Sequence, residues 1–319
     1  MWSVILLEQT KITAMAKAKK DIYEAINERV IAGLQKKGLN WFRPWNAGSG
    51  SDSFAPINNA TGRAFNGLNV FILSQECAEM GYPHNEWITF KQAITKGGSV
   101  RKGQKSTPVI YWNIFFVDAD GKFYKSAKQV ADAGLTMSDV DKRFSPRLHN
   151  LFNIAQCDDI EPRRELVEPD GTFDPIERAE KVYEEFQGRP SLQHGGDRAY
   201  YSATRHHVQM PLAETFKAPQ YYYNTLFHEL VHSTGHKSML KRFEGKVAAF
   251  GSKDYSKEEL VAEIGSQYLA AIVGINVDVD NSQAYINGWI SKLQSNPKML
   301  VGAASLATKA VQRIIGEGQ

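Results

Sequence analysis

Cysteines and long apolar segments are scarce in this sequence, and each scarcity excludes a class of protein. The 319 residues include two cysteines, Cys77 and Cys157, which are too few for a disulfide framework. No apolar run reaches the roughly 20 residues that a membrane-spanning helix needs. The apolar segment Trp2–Leu7 is too short for a signal peptide, has no basic residue before it and is followed directly by Glu8. We therefore expect a cytoplasmic protein with no membrane partner, in which residues 1–14 form an N-terminal extension.

Acidic residues are under-represented in the first half of the chain, although the overall composition is ordinary. With 42% hydrophobic and 23% charged residues, the chain has the balance of a globular protein, and its length allows two domains. Up to residue 155 there are 20 Lys and Arg against 13 Asp and Glu, a net charge of +7, whereas the remainder carries −4. A polar stretch containing Pro and Gly, 158–171, separates the two parts. We predict an α+β protein with a basic domain at 15–157 and a linker plus second domain at 158–319.

The segment His228–His232, with the sequence His-Glu-Leu-Val-His, is the motif that predicts chemistry. On a helix the two histidines lie one turn apart on one face, so both imidazoles can bind a single cation. Glu229 lies beside them at an angle suited to a catalytic water rather than to the metal. Asn224 or Thr225 can cap the start of this helix, and Gly235 can end it. The pattern predicts a metal-dependent hydrolase, although three fixed positions can also occur together by chance.

A hydrolytic metal site of this kind needs a third protein ligand from another element. In the next predicted helix, Glu259 and Glu263 share one face among apolar residues. One of them would bind the metal, and the other would accept a hydrogen bond from the second ring nitrogen of a ligand histidine. We favour Glu263 as the ligand because Gly265 and Ser266 allow close approach to the histidine helix, and the reverse assignment stays open. Glu258 is interpreted as part of an acidic first turn that the helix dipole favours.

The expected cofactor is one divalent metal, zinc first and manganese as the alternative. A further histidine, His236, follows Gly235 directly, whereas the extended three-histidine motif needs two residues between them. We therefore predict a turn or supporting role for His236. The side chains that could stabilise a developing oxyanion are Tyr200, Tyr201, His206, His207 and Tyr255.

Helix and strand signals alternate in the first part of the chain. Apolar residues recur at intervals of four from Ile22 to Leu34, which predicts a helix over 21–35 that Gly38 ends. The segment 109–117 reads as a strand, followed by a hairpin turn at Asp120-Gly121. Further helices are expected near 67–80, 89–96 and 176–187.

Basic and aromatic residues are interleaved in this first part, a mixture typical of proteins that bind single-stranded nucleic acid. The ordinary alternative is that rings such as Trp41, Trp87, Tyr111 and Trp112 belong to the core and that the lysines are merely solvated. No motif that reads duplex DNA is evident, and the segment 98–106 lacks the spacing and the following helix of a phosphate-binding loop. The residues predicted to contact single-stranded DNA are Arg43, Trp45, Arg63, Lys91, Lys96, Arg101, Lys102 and Lys105.

Several segments, taken together, resemble one protein family. They are, in chain order, 56–63, 87–93, 100–103, 151–156, 196–201, the predicted helix 225–236 and 259–263. Their order and combination, over roughly residues 20–275, closely resemble ArdC-type antirestriction proteins. This resemblance implies a single-stranded-DNA-binding domain fused to a zincin-like metallopeptidase domain. It further implies carriage on mobile elements and protection of incoming DNA from restriction during conjugation.

The resemblance also implies roles for individual residues. His228, His232 and one of the two glutamates would be metal ligands, and Glu229 would be the catalytic base acting on an unidentified protein substrate. Two alternatives remain: a protease that clears DNA-bound proteins, and a non-proteolytic protein that coats single-stranded DNA and holds a structural metal. A structural zinc usually has four protein ligands, often cysteines, and neither cysteine lies near the motif. The sequence therefore favours a hydrolytic site.

Overall fold

The structure of the protein, a computed structural model, covers most of the chain. In the described part, none of the helices is long and apolar enough to cross a membrane. The predicted extension 1–14, Arg43, Trp45 and the side chain of Tyr255 lie outside the described residues. The described residues are 22–42, 56–165, 174–243, 253–275 and 283–316.

Helix α1 spans residues 22–37, as the four-residue spacing of its apolar residues predicts. Its apolar face is buried, with Ile26 and Val30 almost inaccessible to solvent. The helix stops before Gly38, whose φ of 58° lies in the left-handed region that glycine adopts without steric cost. A 3-10 turn, Gly38–Phe42, follows.

Strands of very different length build the first part of the chain. The strands are β1 (Ile57–Asn58), β2 (Glu86–Ile88), β3 (Ser99–Val100), β4 (Thr107–Asp118), β5 (Phe123–Tyr124), β6 (Val140–Asn153) and β7 (Cys157–Asp158). Five of them form a sheet in the order β1-β2-β6-β4-β5, in which β1 and β2 are parallel and the other neighbours antiparallel. β3 and β7 form a separate antiparallel pair. The predicted turn at Asp120-Gly121 joins β4 to β5, with Gly121 at a φ of 80°.

Three short helices accompany this sheet. They are α2 (Leu68–Glu79), α3 (Phe90–Thr95) and α4 (Ala127–Asp132). α2 and α3 confirm the helices predicted near 67–80 and 89–96. Thr89 begins α3 through a capping box, because its hydroxyl accepts a hydrogen bond from the Gln92 amide and the Gln92 side chain accepts one from the Thr89 amide.

The second part is mostly helical. Its helices are α5 (Pro175–Glu185), α6 (Pro219–Ser233), α7 (Lys253–Val273), α8 (Gln283–Ser295) and α9 (Pro297–Ile315). α5 confirms the helix predicted over 176–187, and α7 packs against both α6 and α9. A small sheet lies beside α6, with strands in the order β8-β10-β9 and β8 parallel to β10. Its strands are β8 (Ser191–His194), β9 (Tyr200–Ser202) and β10 (His207–Met210).

The largest hydrophobic core contains residues from both parts of the chain. The rings of Phe71 on α2 and Tyr268 on α7 meet edge to face with centroids 5.7 Å apart. The buried Asn27 on α1 donates a hydrogen bond of 2.9 Å to the Leu293 carbonyl on α8. The domain boundary near residue 157 stays a prediction, and α1 and α2 form one core with the second part.

Candidate metal centre

Helix α6 carries both histidines of the motif. It begins at Pro219, where the missing N–H and the fixed φ of proline are tolerated, and ends at Ser233. The prediction that Asn224 or Thr225 caps the helix is wrong, because both residues lie inside it. The apolar residues of the motif region are buried on both sides of the helix, which fixes its orientation: Leu226, Phe227, Leu230 and Val231.

His228, His232 and Glu259 form a cluster that could hold a metal ion. The two Nε2 atoms are 3.2 Å apart. The carboxylate oxygens of Glu259 lie 3.6 Å from Nε2 of His228 and 3.5 Å from Nε2 of His232. Two ligand atoms bound at tetrahedral angles and about 2.0–2.1 Å from a cation would lie roughly 3.4 Å apart. The three side chains therefore have both the donor chemistry and the spacing of a metal site.

The carboxylate within reach of both Nε2 atoms is that of Glu259, whereas the sequence favoured Glu263; which of the two is the third ligand stays a prediction, and the geometry favours Glu259. The Glu263 carboxylate lies 4.0 Å from Nδ1 of His228, the ring nitrogen that does not face Glu259. Residues four positions apart share a helix face but are about 6 Å apart along the axis. The packing of α7 on α6 decides which carboxylate reaches the paired Nε2 atoms, and a sequence pattern does not contain that information.

Glu258 orients the ring of His232. This role was missed from the sequence, where Glu258 is interpreted only as part of an acidic first turn of the helix. Its Oε1 atom lies 3.2 Å from Nδ1 of His232, which places the proton on Nδ1 and leaves Nε2 available for a cation. Arg242 donates to both Glu258 oxygens, at 3.0 and 2.7 Å, and to the Val231 carbonyl at 2.8 Å. Burial opposes ionisation of Glu258, but the hydrogen bonds from His232 and Arg242 hold its pKa below the ordinary value. Arg242 carried no sequence signal for this contact.

Negative charge surrounds His228. Burial disfavours its protonated form, but the hydrogen bond to Glu259 and the charges of Glu263 and Glu229 raise the pKa of His228 to about 9. Glu229 is 8% exposed and therefore lies in the protein interior beside the cluster. An environment that attracts a proton this strongly also attracts a divalent cation, so the electrostatics agree with the geometry.

The two helices of the site approach closely because Gly265 on α7 has no side chain. A Cβ atom at this position would lie 2.7 Å from Cγ2 of Val231 on α6, closer than real Cβ atoms come. Ser266 beside it is fully buried. The prediction that a small residue permits close approach of α7 to the histidine helix is confirmed for Gly265.

Two of the predicted oxyanion stabilisers contact each other beside α6. The Tyr201 hydroxyl lies 2.9 Å from Nδ1 of His206, whose Nε2 lies 3.0 Å from the Gly188 carbonyl oxygen. His236 stacks on His206 with ring centroids 4.3 Å apart. The turn or supporting role of His236 stays a prediction. An oxyanion role stays a prediction for Tyr201 and His206, and equally for Tyr200, His207 and Tyr255.

The six basic residues predicted to contact single-stranded DNA that the structure describes are all exposed to solvent. Such exposure is what a phosphate contact requires. Contact with DNA stays a prediction for these residues and for Arg43 and Trp45, which lie outside the described residues. The six exposed residues are Arg63, Lys91, Lys96, Arg101, Lys102 and Lys105.

Two of these exposed residues, Lys96 and Arg101, also bind protein atoms. Nζ of Lys96 donates to the Asn59 side chain at 2.6 Å. The Arg101 guanidinium donates to the Cys157 carbonyl at 2.9 Å and lies 3.3 Å from the Asp158 carboxylate. Arg101 thereby holds β3 and β7 together, which leaves less of its hydrogen-bonding capacity for a phosphate.

The aromatic residues of the first part divide between core and surface. Trp41 and Trp87 are 3% and 0% exposed, so for these two the ordinary alternative of core packing is correct. Tyr111 and Trp112 on β4 are 53% and 38% exposed. These two rings are accessible to a ligand.

Two protein-family models match the chain, one in each part. Residues 20–144 match the N-terminal domain of anti-restriction factor ArdC, and residues 177–306 match a zincin-like metallopeptidase. The second match contains the whole of α6 and α7, and with them every residue of the cluster.

Two solved structures are similar to the whole chain. The metal-free crystal structure of the antirestriction ArdC protein from plasmid R388 has a TM-score of 0.67 and 29% identity, and covers 94% of this chain and 100% of that one. The Mn(II)-bound structure of the same protein has a TM-score of 0.65 and 30% identity, and covers 92% of this chain and 96% of that one.

Similar sequences include two of very different length. DNA primase TraC of Escherichia coli is 35% identical over 92% of this chain, but the match spans 27% of TraC. The uncharacterized protein y4eC of Sinorhizobium fredii is 31% identical over 90% of this chain and 89% of its own length. The chain thus corresponds to about a quarter of one relative and to almost the whole of another. With both family models matched in order and a likeness over the full length of a solved relative, this chain belongs to the ArdC antirestriction family and contains its N-terminal domain and a zincin-like metallopeptidase domain.

Proposed function

We propose that this protein is a metal-dependent peptidase joined to a single-stranded-DNA-binding domain, and that it protects incoming DNA from restriction during conjugation. The observation that carries the proposal is the cluster of His228, His232 and Glu259 with the buried Glu229 beside it. Two imidazoles and one carboxylate leave a coordination position for water or substrate, which is the arrangement of hydrolytic rather than structural sites.

His228 and His232, through Nε2, and Glu259, through its carboxylate, would hold the metal. Zinc is the first candidate and manganese the second, and the existence of a Mn(II)-bound structure of the similar R388 protein supports a divalent cation. When bound, such a cation polarises a substrate carbonyl and makes water a better nucleophile. Glu258 would keep His232 in the tautomer that offers Nε2.

Glu229 would act as the proton carrier of the reaction. Its position next to His228 places a carboxylate beside the cluster without adding it to the three side chains that meet there. The carboxylate would accept the proton of the attacking water and return it to the amine of the departing peptide. Loss of this single group would stop hydrolysis and leave the metal ligands intact.

A protein bound to single-stranded DNA is the proposed substrate. The net charge of +7 up to residue 155 favours a polyanion next to the peptidase domain. The similar proteins include an antirestriction protein from plasmid R388 and a DNA primase. Both support a role for this protein at transferred DNA. A structural metal in a purely DNA-coating protein is less favoured, because the chain has two cysteines and both are buried in the first part.

The deciding experiment is plasmid transfer into a restricting host with Glu229→Gln. We expect this variant to retain bound metal and DNA affinity but to lose protection, because only the proton carrier is removed. Glu214→Gln is a matched control, since it makes the same change at an exposed position. Full protection by Glu229→Gln would reject the peptidase as the protective activity and favour DNA coating.

A further inference from the structure

The strands β4 and β6 form a long two-stranded ribbon. They pair from Thr107 opposite Leu151 to Asp118 opposite Val140. Residues directly opposite each other in an antiparallel pair point to the same side, and side chains alternate along each strand. The register therefore assigns each side chain to one of two faces, a distinction that the sequence of either strand alone does not reveal.

One of these faces, here called the basic face, combines rings with cations. Arg147 is opposite Tyr111, and Arg143 is opposite Phe115. β5 extends the same face, because Phe123 is opposite Val117, which shares the face of Phe115. The rings and cations of the basic face are Tyr111, Phe115, Phe123, Arg143, Arg147 and His149.

The other face, here called the apolar face, contains Trp112, Ile114, Phe144 and Leu148. Towards the turn, its Phe116 packs with Tyr124 and with Val130 of α4. The basic face is covered at the end of the ribbon far from the turn, where Val109 packs against Leu73 and Cys77 of α2. From Tyr111 outwards, however, the rings and cations of the basic face are accessible to solvent.

The rings of the basic face are arranged as a platform. Tyr111, 53% exposed, lies against the His149 ring with centroids 4.7 Å apart and planes inclined by 31°. Phe123, 67% exposed, stacks on Phe115 with centroids 5.6 Å apart and planes inclined by 30°. Exposed apolar rings are unfavourable in water, and a row of them beside cations marks an interaction surface.

The charges on this face select a polyanion. Arg143 and Arg147 are both exposed. Arg143 has a contact of 3.5 Å with Asp141, and at side-chain exposures of 55% and 79% such a pair is weak. Within the described residues of β4 and β6, Asp141 is the one acid on this face.

We propose that the basic face binds single-stranded DNA, with bases stacked on Tyr111 and Phe123 and phosphates contacted by Arg143 and Arg147. This rests on the proposed function and adds the surface through which DNA is held. Unpaired bases can stack on rings whereas bases inside a duplex cannot, so the rings favour a single strand over a duplex. A nucleic acid fits better than a protein partner, because the phosphates of one strand contact both arginines while its bases cover the rings.

The test compares two double variants of the full chain, each of which changes one of the two faces of the ribbon. Phe123→Ala with Arg143→Gln alters the basic face. Phe144→Ala with Lys142→Gln alters the apolar face, where Nζ of Lys142 lies 5.5 Å from the centroid of the exposed Phe144 ring. Each pair removes one exposed ring and one positive charge, so a non-specific effect of charge or folding would be equal in both.

Binding of a fluorescein-labelled oligothymidylate is measured at several salt concentrations. Loss of one stacking ring should weaken binding about fivefold or more. Loss of one phosphate contact should reduce the slope of log affinity against log salt by about 0.7. The apolar-face variant should bind like wild type, and Tyr111→Ala alone should weaken binding with an unchanged salt slope. A duplex of the same length should bind wild type more weakly.

Equal affinity of both double variants would overturn the assignment of the basic face. Loss of binding on replacement of Lys102 and Lys105 by Gln, with the basic-face variant unaffected, would also overturn it, but would leave the proposed function in place. Wild type that does not bind the oligonucleotide at all would reject the DNA-binding part of the proposed function and the basic face with it.

Discussion

Glu258 and Glu259 are adjacent on α7, yet the structure predicts losses of metal affinity of very different size when each is changed to Gln. Glu259→Gln removes a carboxylate that lies 3.6 and 3.5 Å from the two Nε2 atoms of the cluster. We expect metal binding to be almost lost, because an amide is a poor replacement for an anionic ligand. Glu258→Gln leaves all three ligand groups in place and weakens only the orientation of His232. Its metal affinity should fall about 10- to 100-fold, which is roughly 1.4–2.7 kcal/mol.

The stability of the metal-free protein should change in the opposite order. Glu258 is the partner of Arg242, whose side chain is 6% exposed, so the neutral amide leaves a buried guanidinium without its counter-charge. A charged hydrogen-bonding group left partly unsatisfied costs about 1–3 kcal/mol. Glu259→Gln keeps the ion pair of Arg242 with Glu258 intact, and the Glu259 side chain is 28% exposed, so we expect a smaller loss of stability.

Isothermal titration with zinc or manganese gives the affinities, and thermal unfolding in a chelator gives the stabilities. Glu263→Gln is the third member of the series, and its metal affinity should fall less than that of Glu259→Gln because Glu263 lies 4.0 Å from Nδ1 of His228 and not beside the paired Nε2 atoms. A larger loss of metal affinity in Glu258→Gln or Glu263→Gln than in Glu259→Gln would refute the assignment of the third ligand.

Three further predictions concern packing and buried polar groups. Gly265→Ala should lower the free energy of unfolding, since a clash with α6 costs about 1–3 kcal/mol, more than the gain in helix propensity of up to about 1 kcal/mol. Gly288→Ala on α8, where a Cβ meets nothing within 4 Å, should raise the free energy of unfolding. Denaturant unfolding measures both variants, and a change of the same sign in the two would contradict this reasoning. Burial raises the pKa of the Cys77 thiol to about 12, so iodoacetamide at mildly alkaline pH should label it only after unfolding, which mass spectrometry would detect. Glu86→Ala should destabilise the protein by at least about 1 kcal/mol, because its buried carboxylate accepts from the Asn59 amide and two backbone N–H groups; an unchanged melting temperature would contradict this.

Local periodicity made part of the site readable in advance. His228, Glu229 and His232 are close in sequence, and the helical repeat alone brings the two imidazoles to one side. The same repeat predicted α1, and turn chemistry predicted the hairpin at Asp120-Gly121. Charge counted along the chain pointed to a basic first part without any knowledge of contacts.

Contacts between distant elements could not be read in this way. The choice of Glu259 over Glu263 depends on how far α7 is displaced along α6, and two residues that share a helix face give the same sequence signal. Glu258 meets Arg242 and His232 only after three separate segments have packed together.

What the sequence by itself determined is therefore the chemistry that neighbouring residues share: two imidazoles with a carboxylate between them, the helix that carries them and the charge of each part. Only the tertiary structure decided which third carboxylate completes the cluster, that α1 and α2 share a core with the second part, and which rings of the first part are buried or exposed. The reason is that a helix or strand sets its own repeat within a few residues. The register between β4 and β6 and the offset between α6 and α7 are set by packing across the whole chain.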